Sequence, residues 1–119
     1  MIKSVAVLDE GVQGSTGIGM DIYFTSASDN ITEALNKGIG TDIADLDVVL
    51  RSFQGLVSFL STDYVELIDC DFASKTGIDL VVQGASGSTS LYMHLVNRVG
   101  SYTNISATDI KVKIGILKD

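Results

Sequence analysis

The sequence predicts a mainly β protein, an antiparallel β-sandwich of jelly-roll-like type with six to eight strands and at most one short helix. Three observations carry this expectation. Apolar and polar side chains alternate along several segments, which is the period of a strand with one face in a core and the other in water. Clusters of Gly, Ser, Thr, Asn and Asp separate those segments. Six or seven short strands separated by such clusters favour a sandwich over a parallel α/β fold, which would need helices of about ten or more residues between strands. A small closed barrel is the alternative arrangement.

Taken in order, Ile2–Leu8 is an apolar run that reads as a strand. Gly11, Gly14, Gly17 and Gly19 follow. The run Gly14-Ser15-Thr16-Gly17-Ile18-Gly19 has the look of a phosphate-cradling loop, but such a loop opens a helix. Here Met20, Ile22 and Phe24 alternate with Asp21, Tyr23 and Thr25, so a second strand follows and the glycines read as a β-connection. Ser26–Asn30 is turn-like. Thr32–Lys37 fits one or two helical turns capped by Asp29 and stopped by Gly38.

The acids of Thr41–Asp47 invite a calcium reading. Counted from Asp42, an EF-hand would place glycine sixth and glutamate twelfth, where this chain has Asp47 and Phe53. A solvated loop or single turn with Asp42 as its cap is the expectation. Val48–Leu60 is mixed, and its β-branched and aromatic content together with Gly55 favours a strand over Phe53–Leu60. Ser61-Thr62-Asp63 breaks it, Tyr64–Asp69 reads as a short edge strand, and Ala73–Gly77 reads as a turn.

From Gly77 to Asp119 the chain reads as three consecutive strands, and this unit declares the fold best. Ile78, Leu80 and Val82 alternate with Asp79, Val81 and Gln83. Leu91, Met93 and Leu95 alternate with Tyr92 and His94. Ile110, Val112, Ile114 and Ile116 alternate with Asp109, Lys111, Lys113 and Gly115, the second set facing water. Gly84–Ser88 is expected to be a hairpin-type connection, because glycine reaches positive φ at no steric cost. Gly100–Thr108 is a longer polar loop around Tyr102 and Ile105, of the kind that carries contacts. The shared core is expected to hold Ile22, Phe24, Phe53, Val57, Phe59, Leu80, Val82, Leu91, Met93, Leu95, Val112, Ile114 and Ile116.

A chain of 119 residues fits one β-sandwich domain over 1–119, and a domain of that size buries roughly two-thirds of its unfolded surface without staples. Its one cysteine, Cys70, makes no internal bridge. Asp69 and Asp71 flank that thiol and work against a reactive thiolate. Fifteen acids against 8 bases leave a net charge of −7. The scattered bases speak against nucleic acid as a partner. The apolar part of Ile2–Leu8 is too short for a membrane span and lacks a small-residue cleavage site, so neither signal peptide nor transmembrane segment is expected.

Catalytic chemistry is nearly absent from the pattern. His94 is the sole histidine and has no cysteine or second histidine at metal-ligand spacing, so no metal is expected. It shares its face with Tyr92 and Arg98, which suits an exposed or interfacial side chain. No serine lies in a Gly-x-Ser-x-Gly elbow, because Gly84-Ala85-Ser86-Gly87 brings its second glycine one position early. Asp69, Asp71 and Asp79 are the carboxylates to consider for acid–base work. The expectation is a protein that is not an enzyme and uses no cofactor.

The runs Gly55–Phe59, Ala73–Leu80, Ala85–Tyr92, Ser101–Thr103 and Ala107–Asp119, ending Gly-Ile-Leu-Lys-Asp, resemble small virion proteins of tailed bacteriophages of the capsid-decorating kind. The resemblance covers about two-thirds of the chain. It departs at the long loop, where Gly100-Ser101 replaces a proline before the tyrosine. The resemblance implies a non-enzymatic structural protein, located in the virion and assembled in the host cytoplasm. It would self-assemble or dock on a capsid or other virion protein, with no nucleic acid or membrane partner. A positive mean hydropathy with 45% apolar residues suggests a homo-oligomer. Its contacts are expected around Tyr102, with Tyr92 and His94 as further interface residues. The alternative is a soluble β-sandwich binding a small ligand or glycan, with Tyr23, Tyr92 or Tyr102 as a stacking platform.

Overall fold

In the computed structural model the described residues are 1–11, 19–27, 52–97 and 109–118. They hold seven strands and one short 3-10 turn. The strands are β1 (Ile2–Asp9), β2 (Met20–Thr25), β3 (Phe53–Phe59), β4 (Val65–Glu66), β5 (Asp71–Leu80), β6 (Tyr92–Asn97) and β7 (Ile110–Ile116). The turn, Ser61–Asp63, follows β3. Two antiparallel sheets result, one in the order β4-β5-β1-β7 and one in the order β3-β2-β6.

β1 is central to the first sheet and β2 to the second, so the first two strands organise the molecule. Val5 and Val7 alternate with Ser4 and Ala6, and they put one face of β1 in the core. Met20, Ile22 and Phe24 do the same for β2. With Ile2, Val57, Phe59 and Ala73 these residues form the core, all no more than 5% exposed. Burying each large apolar side chain stabilises the fold by about 1.5–3 kcal/mol. Leu80, Val82, Leu91, Ile110, Val112 and Ile114 pack against this cluster from its margins. The expected mainly β, two-sheet architecture is the observed one, and the strands expected at Ile2–Leu8, Met20–Thr25 and Phe53–Leu60 match β1, β2 and β3 closely.

Two connections differ from the sequence-based expectation. Gly84–Ser88 does turn, with the Ser88 amide donating to the Ala85 carbonyl at 2.8 Å and Gly87 at φ +79°. It does not close a hairpin, because β5 belongs to the four-stranded sheet and β6 to the three-stranded one. Alternation identifies the buried face of a strand but is silent on its sheet. Ala73–Gly77, expected to be a turn, lies inside β5. Its small and polar residues are held as strand by pairing with β1, where Ala73 faces Val7 and Lys75 faces Val5. The turn-like chemistry survives as a bulge: register shifts between Ile2 and Ser4, and Gly77 and Asp79 take φ +67° and +51° opposite that shift.

Four residues expected in the core are exposed: Phe53, Met93, Leu95 and Ile116. Met93 and Leu95 do face the core side, opposite Phe24 and Ile22, but β6 is an edge strand among the described residues, and they are about 40% accessible. Phe53 stands at the start of β3 and Ile116 at the end of β7, both edge strands among the described residues. Asp109, expected in water, is buried, and its carbonyl accepts the Glu10 amide at 2.7 Å. Gly55 answers a local need, since its φ of +153° sits at the β2–β3 register shift and an added Cβ would stand 2.5 Å from Leu80 Cδ1. The glycine-rich 12–18 segment, the helical turn at Thr32–Lys37, the acids of Thr41–Asp47 and the Tyr102 loop lie outside the described residues.

Candidate functional site

Tyr92 and His94 both lie on the face of the β3-β2-β6 sheet that points away from the core. The antiparallel register sets Tyr92 opposite Thr25 and His94 opposite Tyr23. The Thr25 hydroxyl donates to the Ala27 carbonyl at 2.9 Å, which uses its only proton. The 3.0 Å contact from Thr25 Oγ1 to His94 Nε2 therefore has the imidazole as donor, and the ring carries a proton on Nε2. His94 is thus a tied, half-buried side chain.

The same face carries Tyr23 with its ring centroid 5.8 Å from Phe53, and Leu56 opposite Tyr23. Asp21, one row along, accepts a hydrogen bond from the Ser58 hydroxyl. Two of the three sequence-predicted interface residues, Tyr92 and His94, are therefore neighbours on one strand. Tyr102, the third, lies outside the described residues.

A second constellation forms at the end of the four-stranded sheet. Glu66 of β4 pairs with Asp71 of β5, and Asp71 pairs with Asp9 of β1, so three carboxylates line up across three strands. Asp9 and Asp71 are each 3% exposed. Burial first, then the charges of Glu66 and Asp9, pushes the Asp71 carboxyl above the usual aspartate range. Beside the row stands Tyr64, whose buried hydroxyl finds no hydrogen-bond partner among the described residues. Burial, and then Asp9, Asp63 and Asp71, pushes its phenol up to about 12, so it stays protonated at neutral pH. Asp63 goes the other way: the Leu60 amide donates to its carboxylate at 2.8 Å and Lys75 bridges it at 3.0 Å, holding it below its ordinary value.

Of the three carboxylates considered for acid–base work, only Asp71 is in this row. Asp69 sits at the tip of the β4–β5 hairpin, and Asp79 pairs with Lys3 across the β5–β1 ladder. Sequence reading missed Asp9, although a signal existed: it continues the Val5, Val7 phase and so falls on the core face. Among the described residues no group of three His, Cys, Asp or Glu side chains could hold a metal ion. None of their helices is long and apolar enough to cross a membrane.

A third feature is the outer face of the four-stranded sheet near the β4–β5 hairpin. The Leu67 amide donates to the Cys70 carbonyl at 2.7 Å, leaving Ile68 and Asp69 as the two tip residues. Ile68 is 95% exposed and Val65 63%. The register runs Val65, Phe72, Leu8, Lys111 across the four strands, all on the face away from the core. Comparison with protein-family models, with curated proteins and with solved structures finds no match for this chain.

Proposed function

We propose that this protein is a non-enzymatic structural component that works through its surface, by self-assembly or by docking on a larger particle. A bacteriophage virion, with a capsid-decorating role and a jelly-roll-like sandwich, is the setting that its sequence resemblance favours. The observation that carries the reading is the exposed apolar hairpin: Val65, Leu67 and Ile68 stand in water within four residues of one another. An apolar cluster of that kind on a small domain marks a contact surface. Two of the sheet edges, β6 and β7, also offer unpaired backbone among the described residues, a liability that a neighbouring subunit relieves.

The ionisable groups support a structural role as well. Tyr64 is held protonated, His94 is tied to Thr25, and Asp63 and Asp79 are paired with lysines. The second reading, a glycan-binding module, draws on Tyr23 and Tyr92, which share one face beside His94. Light scattering coupled to size exclusion separates the two. A defined oligomer without glycan-array binding supports assembly, whereas a monomer that binds glycans through Tyr92 overturns it.

A further inference from the structure

The outer strand of the β4–β5 hairpin is fastened chiefly by its backbone. β4 has two residues, and every residue from Val65 to Asp69 is exposed, so little apolar burial holds this arm down. It is kept in place by pairing with β5, Val65 to Phe72 and Glu66 to Asp71, and by the Leu67 amide donating to the Cys70 carbonyl at 2.7 Å. Its base is anchored. Tyr64 packs against the core with its ring centroid 6.4 Å from Phe59, and the turn before it is fixed by the Lys75–Asp63 ion pair at 3.0 Å. An arm with few buried contacts and exposed backbone hydrogen bonds opens locally at much lower cost than the whole fold.

The same pairing sets carboxylates side by side. Among the described residues, Asp71 is faced by Glu66 from β4 and by Asp9 from β1, whose carboxylate accepts the Gly11 amide at 3.0 Å. Tyr64 stands beside them with its phenol protonated. Lys75, the cation on the same face of β5, is engaged by Asp63, and on the β7 side Asp109 is buried where its carbonyl accepts the Glu10 amide. Burial, then Glu66, then Asp9 all disfavour the ionised form of Asp71. Unpairing β4 carries Glu66 away from Asp71 and admits water beside it, which relieves the first two.

We propose that the Glu66–Asp71–Asp9 row is a pH-sensitive latch on the β4–β5 hairpin: β4 stays paired while Asp71 is protonated, and ionisation of Asp71 favours local unpairing of β4, hinged at Tyr64. The sign is fixed by linkage. The opened arm leaves Asp71 in water, where it gives up its proton at lower pH than in the closed arm, so opening grows as pH rises through the closed-state value and then levels off. The latch is independent of self-assembly. Where the apolar tip is a contact, it sets how Val65, Leu67 and Ile68 are presented.

Amide hydrogen exchange of the intact chain, dilute and from pH 4 to 8, tests this, with each rate divided by that of an unstructured peptide at the same pH. The Leu67 amide reports the arm, and the Ile22 amide, in the centre of the other sheet, reports global unfolding. Leu67 protection is expected to fall about threefold or more as pH rises, while remaining far below that of Ile22. Asp71→Asn is expected to hold Leu67 protection near its low-pH level throughout. Glu66→Gln, at an exposed position, is expected to reduce the fall. Leu67 protection that is constant with pH, or that falls equally in Asp71→Asn, overturns the latch. So does Leu67 protection equal to that of Ile22 at every pH, because the arm would then open only with the whole fold. Each of these results leaves the self-assembly reading standing.

Discussion

Asp71 and Asp9 face each other across the β5–β1 ladder on the core side of the sheet, each 3% exposed, with Glu66 next in line on β4. Like charges directly opposite on a sheet are destabilising, and burial removes the water that would screen them. Burial first, then the charges of Glu66 and Asp9, raises the Asp71 carboxyl.

The sign of the pH dependence follows. A carboxyl whose folded pKa exceeds the unfolded 3.8 binds more protons in the native state, so its contribution is fully present below 3.8 and is lost as pH rises through the raised value. Asp71→Asn is therefore expected to stabilise the protein at neutral pH by up to about 1 kcal/mol. The gain should shrink toward pH 4. Asp63 acts oppositely: its lowered carboxyl contributes stability above 3.8 that is lost as pH falls below it. Thermal melts of wild type and Asp71→Asn from pH 4 to 8 check this, and a variant less stable at pH 7 would mean that the carboxylate has a stabilising role in the row.

The His94 ring is expected to carry a proton on Nε2, because Thr25 spends its only proton on Ala27. Nitrogen-15 shifts of the ring read the tautomer directly. Thr25→Val keeps the shape and removes the acceptor, and since Thr25 is fully buried it is expected to cost about 1–3 kcal/mol. A ring protonated on Nδ1 alone would contradict the assignment.

The register of β7 makes a third prediction. Ile114 pairs with Val5 and packs on the core, whereas Lys113 pairs with Ala6 and points into water. Ile114→Asp should lower stability by about 2 kcal/mol or more, because it brings an unpaired charge to the core margin. Lys113→Asp, measured on dilute protein, should change it by no more than about 0.5 kcal/mol. Denaturant midpoints compare the two, and equal losses would mean a register shifted by one residue.

Much of the architecture was legible in the residues because a period of two is a local signal. Val5 and Val7, Ile22 and Phe24, and Val112 and Ile114 each declare a buried face without knowledge of any partner. What alternation does not encode is which sheet a strand joins. Hence Gly84–Ser88 was expected to close a hairpin and instead joins strands of different sheets, and Ala73–Gly77 was expected to turn and instead pairs with β1. Edge position is equally invisible locally: Met93 and Leu95 carry the right phase and remain exposed because β6 has one neighbour among the described residues. The candidate surface was harder still. Tyr92 and His94 were singled out and do share a face, but Ile68 stands in a segment read only as an edge strand, and its 95% exposure arises from a two-residue hairpin tip. Asp9 was hidden at the end of an apolar run, although its phase with Val7 pointed inward.

The central claim is that this protein acts by associating through its own apolar surface. Sedimentation velocity of wild type and Ile68→Asp, run side by side from low to high micromolar concentration, tests it most directly. Wild type is expected to shift from the monomer toward a faster-sedimenting species as concentration rises, while Ile68→Asp stays monomeric with an unchanged melting temperature. Two identical monomer profiles across the whole range would contradict the account.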